Sequence, residues 1–133
     1  MKTILVADDD SNIRLLLETE LILEGYRVIL ASTGSEALKK IKGESPDLLI
    51  LDIKMPDMHG LQVLEALRKE NRKLPTIICT AYGKMRDDYT IWASDVAEYL
   101  TKPINLDRLK EIVEKSLANK TFQVNTEYEE DSS

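Results

Sequence analysis

Carboxylates and one ammonium stand at the ends of short apolar runs in this chain. Ile4-Leu5-Val6-Ala7 closes on Asp8-Asp9-Asp10, and Leu48-Leu49-Ile50-Leu51 closes on Asp52. Thr76-Ile77-Ile78-Cys79 runs into Thr80, and Tyr99-Leu100-Thr101 runs into Lys102-Pro103. Such runs are the pattern of strands buried on both faces of a parallel sheet. Their exits then share one carboxyl edge, which collects several carboxylates, a hydroxyl and an ammonium. That set suits a divalent cation, a nucleophile and a phosphoryl group. Carboxylates brought together with no cation raise one another's pKa and cost stability. Magnesium takes near-octahedral oxygen ligands, keeps waters, and commonly uses one or two carboxylates with phosphate oxygens. Asp9 and Asp52 read as direct ligands, Asp8 as one acting through water, and the Lys54 backbone carbonyl completes the set; Mn²⁺ is the alternative ion. A carboxylate can also attack phosphorus and form an acyl phosphate. In-line transfer needs little beyond positioning and neutralisation of charge. Lys102 would supply a point charge to one phosphoryl oxygen, and Thr80 a hydroxyl to another.

The elements that must position these residues alternate regularly. Thr3–Ala7, Tyr26–Ala31 and Asp47–Leu51 read as the first three strands, and the runs beginning at Thr76 and ending at Thr101 as the last two. Ile13, Leu16, Leu17, Glu20 and Leu21 have helical spacing, with Ser11 or Asn12 as the cap and Gly25 as the stop after Glu24. Thr33 and Glu36 have capping-box spacing ahead of a helix to about Lys42, and Gly43 and Pro46 punctuate the chain after it. Pro56 excludes a helix in the loop Lys54–Gly60, and Gly60 is expected to need an unusual backbone angle. Leu61–Arg72 reads as a helix with Val63, Leu64 and Leu67 inward. Residues 84–94 read as a weaker helix, and Leu106 to about Asn119 as the last one, capped by Asn105. Strand and helix alternate throughout, which points to an α/β fold with a five-stranded parallel sheet and helices on both faces, and the doubly wound order expected for it is 2-1-3-4-5. In that order ligands bind between strands 1 and 3 at their carboxyl ends. Those are the strands that end in Asp8-Asp9 and in Asp52.

The chain of 133 residues is enough for one domain with a good core and too short for two. Aromatic content is 5%, so Leu, Ile, Val and Ala must build the core. Much of the net charge of −6 lies in residues 121–133, which hold Glu127, Glu129, Glu130 and Asp131 and no base. The rest is nearly balanced and offers no electrostatic footprint for nucleic acid. A single cysteine excludes an internal disulfide and a Cys-based zinc site. No stretch has the length of a membrane span, and the N-terminus lacks a signal peptide's apolar region and cleavage site. The expectation is a cytoplasmic protein with one domain over residues 1–120 and an acidic, disordered tail over 121–133.

In their order along the chain, Asp8-Asp9, Asp52 followed by Met55-Pro56-Asp57 and Gly60, Thr80-Ala81 and Lys102-Pro103 resemble the receiver domain of two-component response regulators. The resemblance covers residues 2 to about 119. It implies the (βα)5 receiver fold, with Asp52 as phosphoacceptor for a sensor histidine kinase or a histidine phosphotransfer protein. It implies Mg²⁺ held by Asp8, Asp9 and Asp52, contacts to the phosphoryl group from Thr80, Ala81 and Lys102, and a switch through Thr80 and Tyr99. A cis Lys102–Pro103 bond and structural roles for Pro56 and Gly60 go with it. The family's members are signalling phosphoproteins and not enzymes in the usual sense, since they promote only their own phosphorylation and dephosphorylation. The surface of the 84–94 helix, the fifth strand and the last helix would be remodelled to control a protein effector, in a monomer or a phosphorylation-promoted dimer. Asp95 stands where the family usually has Gly, and Asp tolerates the left-handed region better than most residues.

The remaining residues read more simply. His59 is a solvated loop residue, Cys79 core filler, and Asp57 a turn residue. Arg14 is either part of a docking face or an ordinary surface charge. Trp92 either packs inward or joins Met85 and Tyr89 in an exposed stripe. A phosphohydrolase of the haloacid dehalogenase type is an alternative, but it wants Asp-x-Asp-x-Thr/Val, and Asn12 stands in the last place. It would also leave Asp52 and Lys102-Pro103 unexplained. A flavodoxin-like cofactor binder would need a Ser/Thr/Gly-rich loop where Asp8-Asp9-Asp10 stand. A phosphorylation-independent module of the same fold is the last alternative, though no site residue is missing.

Overall fold

The structure, a computed structural model, describes residues 1–83, 91 and 95–118. The expectations for Met85, Tyr89, Trp92 and residues 121–133 lie outside the described residues. The elements are β1 (Thr3–Ala7), α1 (Ser11–Leu23), β2 (Arg27–Ala31), α2 (Gly34–Glu44), β3 (Leu48–Leu51), α3 (Gly60–Lys69), β4 (Thr76–Thr80) and β5 (Val96–Thr101). A further helix covers residues 106–118. All neighbouring strands pair in parallel, in the order β2-β1-β3-β4-β5. This is the expected topology, with β1 and β3 adjacent at the switch point.

Alternation along the strands divides the core into two layers. Leu5, Ala7, Leu49, Leu51 and Ile78 pack with Ala37 and Ile41 of α2 and with Val63, Leu64 and Leu67 of α3. Ile4, Val6, Leu48, Ile50, Ile77 and Cys79 pack with Leu17 and Leu21 of α1 and with Leu109, Ile112, Val113 and Leu117 of the 106–118 helix. Each such Leu or Ile contributes about 1.5–3 kcal/mol by leaving water. No helix among the described residues is long and apolar enough to cross a membrane.

The ladder runs one residue past the strands, which bears on the site. Asp8 N donates to Ala31 O at 3.1 Å, Asp52 N to Ala7 O at 2.9 Å, and Lys102 N to Thr80 O at 2.8 Å. Each of these residues is therefore held by a neighbouring strand at the point where its side chain leaves the sheet.

Element ends differ from the sequence reading for identifiable reasons. The cap of α1 is Asp10 and not Ser11 or Asn12, because Asp10 Oδ1 accepts from Asn12 N at 2.9 Å and Ile13 N at 3.4 Å. Leu16 is exposed, so the buried stripe of α1 is Leu17 and Leu21. Strand β2 begins at Arg27, since Tyr26 N is used by Leu21 O in the turn that ends α1. Asp47 stays outside β3, where its carboxylate accepts from Thr3 N at 2.8 Å. Helix α2 continues past Lys42 to Glu44 and ends on Ser45 at φ 46°. Helix α3 stops at Lys69, short of Arg72, with Asn71 at φ 54° in the turn that follows. Asn105 caps the 106–118 helix as expected, through Arg108 N at 3.0 Å.

Because Asp10 serves α1 through its carboxylate, Asp10→Ala is expected to cost about 1 kcal/mol in urea unfolding, and Asp10→Asn much less. Equal losses in the two variants would mean that the cap is not what Asp10 contributes.

Candidate functional site

The ends of β1 and β3 bring three carboxylates together. Asp8, Asp9 and Asp52 each offer an oxygen within 4.8 Å of the others. Asp8 is 3% exposed and Asp52 6%, whereas Asp9 is open to solvent. The Lys102 ammonium donates to Asp8 Oδ2 at 2.8 Å and to Asp52 Oδ2 at 3.0 Å. The second oxygen of each buried carboxylate accepts a backbone N–H two residues on, from Asp10 to Asp8 at 2.9 Å and from Lys54 to Asp52 at 3.3 Å. Asp10 itself turns away to cap α1 and does not join the cluster. Arg14 Nη1 donates to the Asp8 carbonyl at 2.7 Å, so this side chain braces the acidic loop from α1.

These contacts set the electrostatics. Burial pushes the Asp8 carboxyl above its ordinary pKa, and the Asp52 charge adds to this, against the opposing pull of Lys102 and the Asp10 N–H. Burial alone would lower the Lys102 ammonium, but its hydrogen bonds to Asp8 and Asp52 outweigh that and hold it above its ordinary value. Among the described residues, two nearly buried carboxylates and one exposed one have a single ammonium, that of Lys102, at bonding distance. Oxygen donors with that excess negative charge fit a hard divalent cation such as Mg²⁺, which Asp8, Asp9 and Asp52 would hold.

A cavity of about 400 Å³ opens over Asp52, lined by Asp9, Asp52, Lys54, Met55, Pro56, Ala81 and Tyr82. Thr80 is fully buried at the end of β4, and its Oγ1 accepts from Tyr82 N at 3.3 Å. Tyr99 is also fully buried, and its hydroxyl donates to the Tyr82 carbonyl. The two expected switch residues thus meet at the backbone of one residue, Tyr82, that the sequence reading did not single out. The Tyr82 ring also lies 5.4 Å from Lys54 Nζ, a cation–π distance. Tyr82 was legible in principle, standing two residues past Thr80 at an edge already marked as chemical.

The loop after Asp52 corrects two readings. Gly60 does not have the unusual backbone angle; the positive φ, at 61°, belongs to Asp57. Gly60 answers a demand for space, since a Cβ there would lie 2.4 Å from the Asp52 carbonyl oxygen and 2.7 Å from Ile53 Cα. His59 is not merely a solvated residue. It caps α3, with Nδ1 accepting from Leu61 N at 3.4 Å and its own N–H donating to Gln62 Oε1 at 2.8 Å. The Lys102–Pro103 bond is cis. Cys79 is core filler as expected, and burial pushes its thiol up to about 12.

The raised pKa of Asp8 has a defined sign in stability. An acid that titrates higher in the folded state destabilises the fold once pH exceeds both values. Without metal, Asp8→Asn is therefore expected to raise the thermal midpoint at neutral pH. The gain should vanish as pH falls below the ordinary 3.8. A gain that persisted at lower pH would place its cause outside Asp8 ionisation.

A family model described as the response regulator receiver domain matches residues 4–114. The crystal structure of response regulator protein TrrA from Thermotoga maritima in complex with Mg²⁺–BeF is 48% identical in sequence. It has a TM-score of 0.80 and covers 87% of this chain and 99% of that one. A second structure, of histidine kinase ThkA in complex with TrrA, matches at 49% identity and a TM-score of 0.79, over 88% of this chain and 99% of that one. A probable transcriptional regulator, ycf27 of Pyropia yezoensis, is 42% identical over 107 residues, which are 80% of this chain and 44% of that protein. The chain spans about a quarter to a half of the length of the curated relatives it matches. With the family model spanning most of its length, this chain belongs to the response regulator receiver domain family.

Proposed function

We propose that this receiver accepts a phosphoryl group on Asp52 in a Mg²⁺-dependent reaction, from a sensor histidine kinase or a histidine phosphotransfer protein, with residues 1–120 as the working domain. The observation that carries the reading is the setting of Asp52, nearly buried on a cavity wall between two further carboxylates and one ammonium. The TrrA relative, in complex with Mg²⁺–BeF, supports the choice of ion, and its complex with ThkA supports the class of donor. The protein would act in the cytoplasm and promote only its own phosphorylation and dephosphorylation.

In the transfer, a free lone pair of the Asp52 carboxylate attacks phosphorus, the new P–O bond forms, and the P–N bond to the donor imidazole breaks. Bound Mg²⁺ would neutralise charge on the carboxylates and the phosphoryl oxygens, held by Asp8, Asp9, Asp52 and the Lys54 carbonyl. Lys102, now shared by Asp8 and Asp52, moves its ammonium to a phosphoryl oxygen as negative charge grows there. The Ala81 N–H and the Thr80 hydroxyl serve the other oxygens. Thr80 Oγ1 now accepts from Tyr82 N, so turning the hydroxyl toward a phosphoryl oxygen strains that bond. Tyr99 holds the carbonyl of that same residue, so its packing changes when Thr80 turns. The altered surface involves β5 and the 106–118 helix, and a protein effector that prefers it shifts the population further.

Helix α1 is the proposed donor-docking face. Beside the site it exposes Leu15 and Leu16, and further along it Ile22 and Leu23, with Leu15 62% and Leu23 74% exposed. An apolar stripe of this kind suits the flank of a partner helix.

Incubation with Mg²⁺ and acetyl phosphate is expected to give a phosphoryl adduct by intact mass, absent from Asp52→Asn; an adduct at undiminished yield in that variant would sink the assignment. Leu16→Glu is expected to slow transfer from a phosphorylated kinase tenfold or more, about 1.4 kcal/mol, while leaving acetyl phosphate labelling unchanged. Equal slowing with both donors would remove α1 as the docking face.

A further inference from the structure

We propose that Gly34, the first residue of α2, is a positioning residue for the wall of the phosphoacceptor site, because only a residue without a side chain lets α2 seat against Met58. A Cβ on Gly34 would lie 2.3 Å from the Met58 carbonyl oxygen, 2.6 Å from Met58 Cβ and 2.9 Å from Met58 C. Two of these contacts are backbone, so no side-chain rotation relieves them. The seat has a second tie, from Ser35 N to Asp57 Oδ1 at 3.4 Å.

The segment that Gly34 touches is the one whose other side faces the cavity. Lys54, Met55 and Pro56 line the space over Asp52, and Asp57 and Met58 follow directly. The segment is short and doubly pinned. At its far end Gly60 lies against the backbone of Asp52 and Ile53, with Gly60 N donating to Ile53 O at 2.6 Å. Within it, Met58 N donates to Pro56 O at 2.7 Å, so Met58 and Pro56 move together. A group inserted at position 34 pushes Met58 away from α2. The Gly60 end has no room to yield, and the displacement passes to Pro56, Met55 and Lys54. Gly34 touches no reacting atom and acts only through this loop.

The proposal rests on the reading that the Lys54 carbonyl helps to hold Mg²⁺, and the test separates the two. Mg²⁺ binding to the unphosphorylated full chain is measured by titration calorimetry for wild type, Gly34→Ala and Gly43→Ala. Gly43 is the control, being in the same helix with nothing within 4 Å of an added Cβ. Amide hydrogen exchange over residues 54–60 is measured on the metal-free proteins. Gly34→Ala is expected to weaken Mg²⁺ binding about tenfold, as loss of an outer-shell support does, and to speed exchange in the loop. Gly43→Ala should match wild type in both. A folded Gly34→Ala that binds Mg²⁺ within twofold of wild type and keeps wild-type exchange overturns the proposal. If Gly34→Ala does not fold, Met58→Gly loosens the same seat without a clash; wild-type binding and exchange in that variant also overturn it. Faster loop exchange in Gly34→Ala, with no Mg²⁺ binding by wild type, would refute the metal reading and leave the positioning role standing.

Discussion

Two carboxylates at the bottom of a cleft, with little access to water, repel each other and lose hydration, and the molecule is organised around containing that cost. The Lys102 ammonium bridges Asp8 and Asp52, and each carboxylate has a backbone N–H on its remaining oxygen. Among the described residues no buried side-chain nitrogen or oxygen lacks a partner. The containment is satisfied yet incomplete in charge, because Asp9 adds a third acid that no ammonium among the described residues meets at bonding distance. A site in this condition suits a divalent cation, and under the proposed function Lys102 is the charge that would turn to an incoming anion.

The parallel sheet makes such a concentration of charge feasible. Four strands place their last residues on one edge, and backbone hydrogen bonds from Asp8, Asp52 and Lys102 to the neighbouring strands keep that edge in register. The core beneath is apolar on both faces and supplies the stability against which the acidic edge is held. Loops carry the rest. One is clamped by the close approaches at Gly60 and Gly34, the other by the bond that Tyr82 N–H donates to Thr80 and the one that Tyr99 donates to the Tyr82 carbonyl.

Much of this was legible in the sequence because it depends on burial and on strand ends. Apolar runs identified the strands, and their exits identified Asp8, Asp9, Asp52, Thr80 and Lys102 without reference to contacts. The alternation of elements pointed to a parallel sheet with helices on both faces, and the acids at the exits of strands 1 and 3 agreed with the order 2-1-3-4-5. What stayed hidden depends on geometry between segments distant in sequence. Asp10 looked like one more member of the acidic cluster, and only its direction toward α1 shows it to be a cap. Gly60 suggested a backbone angle, whereas its role is to admit the Asp52 carbonyl, and the left-handed residue in that loop is Asp57. His59 capping α3 is equally a matter of direction. Leu16 had helical spacing suited to the core but faces solvent, since a helix packed on a sheet buries a narrower stripe than its apolar residues could fill.

The meeting of Thr80 and Tyr99 at Tyr82 divides the labour within that residue. Its amide N–H and carbonyl take part in the contacts between the buried hydroxyls, while its ring stands in the cavity mouth beside Lys54. Any amino acid other than proline supplies the same N–H and carbonyl. Evolution can therefore exchange the ring, altering what shields or admits water above Asp52, with the internal connection left in place. Under the proposed function, the clock of the signal and the wiring of its output would be separately heritable traits, carried by the side chain and the main chain of one position.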